Sequence, residues 1–148
     1  MNIVLYQPEI PPNTGNIARL CAGFNLTLHL VEPLGFSLED RYLKRAGLDY
    51  WPLVKLKIWP DWPSFCLSKP IGRLIATSAR RGKHFTSYQP QQSDNLLFGP
   101  ETRGLPEEVT KEANEILNIP LAPGVRSLNL ATTVGFFLGL AYSRLPIS

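Results

Sequence analysis

The chain is poor in the residues that would build a disulfide scaffold, a metal centre or a membrane span. Its 148 residues include 2 cysteines and 2 histidines, too few for either framework. Cys21 and Cys66 sit among apolar residues, as buried thiols do. His29 falls inside a strand-like run and His84 in a basic loop, neither with a carboxylate or cysteine at ligand spacing. No metal is expected. The most apolar stretch, Leu128 to Tyr142, contains Asn129, Thr132 and Thr133 and falls short of the ~18 apolar residues of a membrane helix. The first residues, Met1-Asn2-Ile3-Val4-Leu5-Tyr6-Gln7-Pro8, lack a basic n-region and a small-residue cleavage site. The expectation is a cytoplasmic protein without signal peptide or membrane partner. Also missing are a G-x-G-x-x-G turn after any strand, a phosphate loop of the G-x-x-x-x-G-K-[ST] type and a G-x-S-x-G elbow. A conventional dinucleotide site and Ser/His/Asp catalysis are therefore not expected.

Hydrophobic residues make up 44% of the chain and charged ones 18%, which fits one globular domain over residues 1–148. Fifteen Lys and Arg against 12 Asp and Glu give a net charge of +3, a mild bias toward a polyanionic partner. The 14 prolines are roughly twice the ordinary ~5% usage. They fall between periodic segments, where they punctuate elements.

Short segments bounded by turn residues read as strands over Asn2–Tyr6, Leu26–Val31, Val54–Trp59, Leu74–Ser78, Asn95–Gly99 and Glu115–Leu121. Ile17, Leu20, Cys21 and Phe24 recur at helical spacing, predicting a helix that follows the Gln7–Gly15 loop and ends near Gly23–Asn25. Ser37 and Asp40 read as a capping box for a helix running to Gly47. Asp61-Trp62-Pro63 opens a short helix, Pro106-Glu107-Glu108 another, and Leu128–Leu145 forms the last. Strands alternating with helices predict an α/β domain with a mostly parallel sheet and helices on both faces. Such sheets bind ligands beyond the carboxyl ends of their strands.

Three loops there carry unusual residues. In Asn13-Thr14-Gly15-Asn16-Ile17-Ala18-Arg19, Gly15 permits a tight turn and Arg19 follows in the first helical turn; a capped helix start with a surface arginine reads equally well. Leu97-Phe98-Gly99-Pro100-Glu101-Thr102-Arg103-Gly104-Leu105-Pro106 combines two glycines, two prolines and an expected Glu101–Arg103 pair, a rigid loop shaped for close backbone approach. Ile119-Pro120-Leu121-Ala122-Pro123-Gly124-Val125-Arg126-Ser127-Leu128-Asn129 offers an apolar slot for a flat base held by main-chain hydrogen bonds. It equally suits a strand-to-helix turn with Ser127 as the cap.

Together these loops resemble the SPOUT class of S-adenosyl-L-methionine-dependent RNA methyltransferases, within it the SpoU-type 2′-O-methyltransferases, and most closely the small TrmL (YibK-like) family. The resemblance runs from Asn2 to about Tyr142. It rests on Glu9-Ile10-Pro11-Pro12-Asn13-Thr14-Gly15-Asn16, Arg45-Ala46-Gly47-Leu48-Asp49-Tyr50, Phe98–Pro106 and Arg126-Ser127-Leu128-Asn129-Leu130. It implies methylation of the ribose at the wobble nucleotide, position 34, of certain tRNAs. It also implies a C-terminal deep trefoil knot, against the general expectation that chains do not knot, and a homodimer whose active site is completed across the interface. S-adenosyl-L-methionine would contact Ala76, Gly99, Ile119, Leu121, Ser127 and Leu128. Arg19 would be the catalytic residue, with Ser127 and Asn129 positioning the ribose. A guanidinium does not deprotonate in proteins, so Arg19 is read as orienting the 2′-hydroxyl or a phosphate and stabilising oxyanion charge.

Arg41, Lys44, Arg45, Arg80, Arg81, Lys83 and Arg103 are the candidate tRNA phosphate contacts. Tyr50 and Trp51 could stack on an unpaired base or pack in the core. The last helix leaves almost no polar face, and Gly135 and Gly139 allow close approach of a neighbour. A buried central helix or a dimer contact both fit. Two departures from the resembled family stand out. Ala131-Thr132 replaces a frequent Ser-Asn, and Gly139 stands where many members carry tyrosine, the nearest here being Tyr142. Methylation of another tRNA or rRNA nucleotide, and a non-catalytic knotted RNA-binding or assembly protein, are the alternatives.

Overall fold

The computed structural model describes residues 1–146, apart from the side chains of residues 47–49. The centre of the Arg45–Tyr50 motif therefore lies outside the described residues. Seven strands form one sheet: β1 (Asn2–Tyr6), β2 (Thr27–Val31), β3 (Lys55–Trp59), β4 (Leu74–Ser78), β5 (Lys83–His84), β6 (Asn95–Phe98) and β7 (Glu115–Asn118). Their order is β3-β2-β1-β6-β4-β7-β5, and every described pairing is parallel. The helices are α1 (Pro11–Gly23), α2 (Arg41–Gly47), α3 (Trp62–Ser68), α4 (Glu107–Thr110) and α5 (Leu130–Arg144). Among the described residues, no helix is long and apolar enough to cross a membrane.

Alternation along the strands sorts side chains onto two faces. Ile3 and Leu5 pack with Ile17, Ala18 and Cys21 of α1 and with Val134, Phe137 and Leu138 of α5. Val4 and Tyr6 point the other way, into a cluster with Phe65 of α3 and Val109 of α4. The sheet is covered on both sides, as strands apolar on both faces require. At the amino end of the strands, Arg73 ties neighbouring segments together. Its guanidinium donates to buried Asp94 at 2.8 and 2.9 Å and to Glu115 at 2.9 Å, while Tyr88 donates its hydroxyl proton to Asp94 at 2.7 Å.

The six expected strands form. The seventh, Lys83–His84, was not expected, because two exposed basic residues carry no hydrophobic period. Strand β7 stops at Asn118 rather than Leu121; Pro120 has no N–H to continue the ladder.

Helix α1 starts at Pro11, not after Gly15. Prolines fit a first helical turn, whose N–H groups have no intrahelical partner, so half of the expected loop is helix. Gly15 is consequently a buried helical residue rather than a turn, and Arg19 lies in the third helical turn rather than the first. The turn residue is Asn25, at φ +55°, just after the helix ends. Ser37 does not cap α2. Asp40 does, accepting from the Tyr42 and Leu43 N–H groups at 2.8 and 3.2 Å. Asp61 caps α3 as expected, accepting from Ser64 N–H at 2.8 Å.

Nor is Ser127 the cap of α5: Asn129 accepts from Thr132 N–H at 3.1 Å. Helix α5 is not buried all round within one chain. Val134, Phe137, Leu138 and Ala141 are buried, while Phe136, Gly139 and Tyr142 stay exposed.

Candidate active site

Strands β4, β6 and β7 lie in the right half of the strand order, and their carboxyl ends open into a cavity of about 860 Å³. That lies within the ~300–1,000 Å³ of small-molecule sites. Phe98, Leu130 and Phe137 supply an apolar wall, and the loops after β6 and β7 supply the mouth. Because β6 and β7 flank β4, these two loops line one cavity from either side of an intervening strand.

Gly99, Ile119, Leu121, Ser127 and Leu128 all line this cavity. Ala76 does not. It is fully buried in β4, and the next residues, Thr77 and Ser78, form the wall in its place. A strand's alternation explains its place: the Ala76 side chain packs in the cluster with Leu97 and Val109. Gly99 has a reason of its own to lack a side chain. A Cβ there would stand 2.6 Å from the Leu105 nitrogen and 2.7 Å from the Gly104 carbonyl carbon, so the 99–106 loop closes on itself only over glycine.

The expected Glu101–Arg103 pair does not form. Glu101 instead accepts from the Glu9 and Ile10 N–H groups at 2.8 and 2.7 Å and from the Asn13 amide at 3.3 Å. Arg103 turns to Gln7, donating to its side-chain oxygen at 3.3 Å, and to Glu9 at 3.8 Å. Glu9 returns the contact by accepting from the Thr102 N–H and hydroxyl at 2.8 and 2.7 Å. The Thr102 N–H, then its hydroxyl, hold the Glu9 carboxyl below the ordinary glutamate range. The sequence motifs contain Glu9, Asn13 and Thr102 but do not reveal their pairing, because the partners lie about 90 residues away and leave no local pattern.

Asn13 continues the connection. It accepts from the Asn129 amide at 2.9 Å, and the neighbouring Glu101 carboxylate fixes its amide orientation. Asn129 thus caps α5 through its oxygen and braces α1 through its nitrogen. One chain of hydrogen bonds, Glu101–Asn13–Asn129, joins the loop after β6, the first turn of α1 and the start of α5.

Arg19 and Asn129 are not in the large cavity. They line a separate hollow of about 610 Å³ between α1 and α5, with Asn16, Tyr50 and Thr132. The Arg19 guanidinium lies 4.9 Å from the centroid of the Tyr50 ring. Within one chain, then, Ser127 belongs to one depression and Arg19 and Asn129 to another. Trp51 packs against the core and donates its indole N–H to the Lys44 carbonyl at 3.2 Å, leaving Tyr50 as the exposed member of that pair.

The basic candidates separate into two groups. Arg80, Arg81 and Arg103 line the large cavity, joined by Arg126, which was not singled out. The 80–83 turn is pressed onto β7: a Cβ on Gly82, at φ +118°, would stand 2.5 Å from the Ile116 carbonyl oxygen. Arg81 is fixed further by donating to the Thr110 hydroxyl at 2.8 Å. Lys83 points away, toward Glu115 at 3.7 Å. Arg41, Lys44 and Arg45 sit exposed on α2, where Arg41 lies over Tyr42 and Lys44 pairs with Glu39 at 2.6 Å.

Known proteins resemble this chain over nearly its whole length. The model of the SpoU rRNA Methylase family matches residues 1–139. A tRNA (cytidine(34)-2′-O)-methyltransferase from Methylovorus glucosotrophus is 46% identical over 139 residues, 93% of this chain and 90% of its own. The protein so named from Escherichia coli K12 is 42% identical over 147 residues, 98% of this chain and 94% of its own. A solved structure described as giving insights into the 2-OH methylation of C/U34 on tRNA superposes with a TM-score of 0.91 at 49% identity, covering 97% of this chain and 94% of the other.

Proposed function

The chain belongs to the SpoU rRNA methylase family, and on that footing we propose that it methylates the ribose 2′-oxygen of the wobble nucleotide, position 34, of tRNA. The nucleotide is a cytidine or a modified uridine. The reading is carried by near full-length similarity to relatives named for that reaction, with the same three loops assembled at the strand ends. Purified protein is expected to transfer methyl groups from S-adenosyl-L-methionine into tRNA from a strain lacking the gene. Failure of that transfer with every tRNA tested contradicts the reading.

S-adenosyl-L-methionine is assigned to the large cavity. The fit is supported by the volume, by the apolar wall of Phe98, Leu130 and Phe137, and by the loop backbone at its mouth. Gly99, Ile119, Leu121, Ser127 and Leu128 would hold the cofactor, with Thr77 in the place expected of Ala76. When bound, it supplies a methyl carbon already activated by its sulfonium, and metal plays no part in this chemistry.

Alignment of the 2′-oxygen is the chain's main task. Arg19 orients the hydroxyl or an adjoining phosphate and stabilises negative charge as the proton leaves. Ser127 sits on the cofactor side and steers the ribose, while Asn129 acts by holding α1 and α5 in register. Arg80, Arg81, Arg103 and Arg126 ring the mouth as phosphate contacts, with Arg41, Lys44, Arg45 and Lys83 as a wider field.

A homodimer belongs to the same proposal. Arg19 and Ser127 occupy different depressions, so a second copy on the α1–α5 face would bring the Arg19 of one protomer to its partner's cofactor cavity. That face exposes the stacked pair Phe24 and Tyr142, 5.0 Å apart, and Phe136. Open space above Gly139 leaves room for a neighbouring helix. Sedimentation of a monomer at micromolar concentration would contradict the dimer. The C-terminal trefoil knot is part of the reading too, supported by membership of the SpoU family. So is a cytoplasmic location, where tRNA is modified.

A further inference from the structure

We propose that Tyr50 is a positioning residue for Arg19, holding the guanidinium by its aromatic face so that its N–H donors stay available to the RNA. The inference rests on the ribose-methylation reading above and adds a residue to it. Arg19 projects from the third turn of α1 and is exposed. A long side chain there has considerable rotamer freedom to lose before it can act at a fixed point. Among the described residues, Arg19 has no carboxylate within ion-pair distance and no side-chain hydrogen bond. Its guanidinium carbon instead stands 4.9 Å from the Tyr50 ring centroid.

The two kinds of anchor differ chemically. A carboxylate would hold Arg19 firmly, but would occupy two N–H donors and cancel the charge that an oxyanion needs. The negative face of an aromatic ring attracts the cation through its quadrupole and occupies no donor in the guanidinium plane. Arg73 in this same chain shows the first arrangement, with its donors taken by Asp94, Glu115 and the Gln89 carbonyl. Arg19 shows the second. Tyr50 is itself carried by the 3₁₀ turn Leu48–Leu53, which is anchored by the Trp51 indole bond to the Lys44 carbonyl. The ring therefore has a fixed support, and its hydroxyl takes no part in the contact.

The test separates ring electronics from shape. Tyr50→Phe is expected to keep kcat within about twofold of wild type. Tyr50→Leu is expected to lower kcat by roughly 5- to 30-fold, the range carried by a cation–π contact, with unchanged thermal midpoint and unchanged S-adenosyl-L-methionine affinity. Replacing position 50 by phenylalanines of increasing fluorination weakens the ring quadrupole at nearly constant shape, and kcat is expected to fall stepwise along the series. A flat fluorination series, wild-type kcat in Tyr50→Leu, or equal losses in Tyr50→Phe and Tyr50→Leu would overturn the proposal. A wild-type protein without methyl transfer overturns the ribose-methylation reading instead. In that case the Arg19 side-chain NMR resonances still report the geometry: upfield-shifted by the ring in wild type and Tyr50→Phe, and unshifted in Tyr50→Leu.

Discussion

Glu9 and Glu101 hold each other's loops. The Glu101 carboxylate accepts from the Glu9 N–H at 2.8 Å, and the Glu9 carboxylate accepts from the N–H of Thr102, next to Glu101, at 2.8 Å. Two segments 92 residues apart in sequence are thereby locked at the cavity mouth through charge-assisted bonds, roughly twice as strong as neutral ones.

Glu101→Gln replaces an acceptor-only group by one that must turn an NH2 toward backbone donors. Destabilisation of about 1.5–3 kcal/mol is expected, measured by urea unfolding. A variant as stable as wild type would show that solvent already serves those donors. Glu9 adds a pH dependence. Its carboxyl titrates below 4.5 in the folded chain, so its stabilising contribution is complete above that pH and is lost as acid protonates it. Glu9→Gln is expected to flatten this acid limb of the stability profile.

Gly99→Val is expected to weaken S-adenosyl-L-methionine binding at least about tenfold, because the side chain displaces the Leu105 backbone and opens the loop. Sheet content should persist, since Gly99 lies just past the last residue of β6. Calorimetric titration gives the affinity; an unchanged dissociation constant would remove the 99–106 loop from the cofactor site.

His29 is a second pH sensor, on the opposite side of the sheet from α1. Its Nδ1 accepts the Trp59 indole N–H at 3.0 Å, and its buried Nε2 has no partner among the described residues. Burial first, and then the Lys57 charge, lower its pKa to about 4. The unfolded chain therefore binds the extra proton between pH 6.5 and 4, and stability falls as pH drops through that window, by about 3 kcal/mol in all. His29→Phe is expected to lose most of this slope in unfolding midpoints at pH 7, 5.5 and 4.5. An unaltered slope would assign it to other groups.

The Arg80, Arg81, Arg103 and Arg126 rim should make tRNA binding strongly salt-dependent. Each phosphate contact contributes a slope of about 0.7–0.9 in log affinity against log salt, so about −3 is expected for the four. Arg80→Gln or Arg126→Gln should reduce that slope by nearly one unit. Arg41→Gln, on α2, tests whether the wider field touches RNA as well.

Much of the fold is legible in the sequence because apolar runs, turn residues and caps are local signals. Strands β1 to β4, β6 and β7, the Asp61 cap and the end of α1 follow from them. What escapes is what depends on distant partners. The β5 pair Lys83–His84 is a strand only because β7 lies beside it. Pro11 and Pro12 read as loop until one sees that a first helical turn suits residues without N–H groups. At the site, Gly99, Ile119, Leu121, Ser127 and Leu128 could be named by family resemblance. The depth of Ala76 in the sheet, the Glu9–Glu101 exchange and the separation of Arg19 from Ser127 could not, since each is fixed by tertiary placement.

The most direct test is ribose-methylation mapping of tRNA treated with purified wild-type protein and with Arg19→Ala, using S-adenosyl-L-methionine as donor and tRNA from cells lacking the gene. The expected result is one new 2′-O-methyl group at position 34 of a subset of tRNAs with wild type, and none with Arg19→Ala at equal cofactor affinity. Methylation at any other nucleotide, none with wild type, or full activity in Arg19→Ala would contradict it.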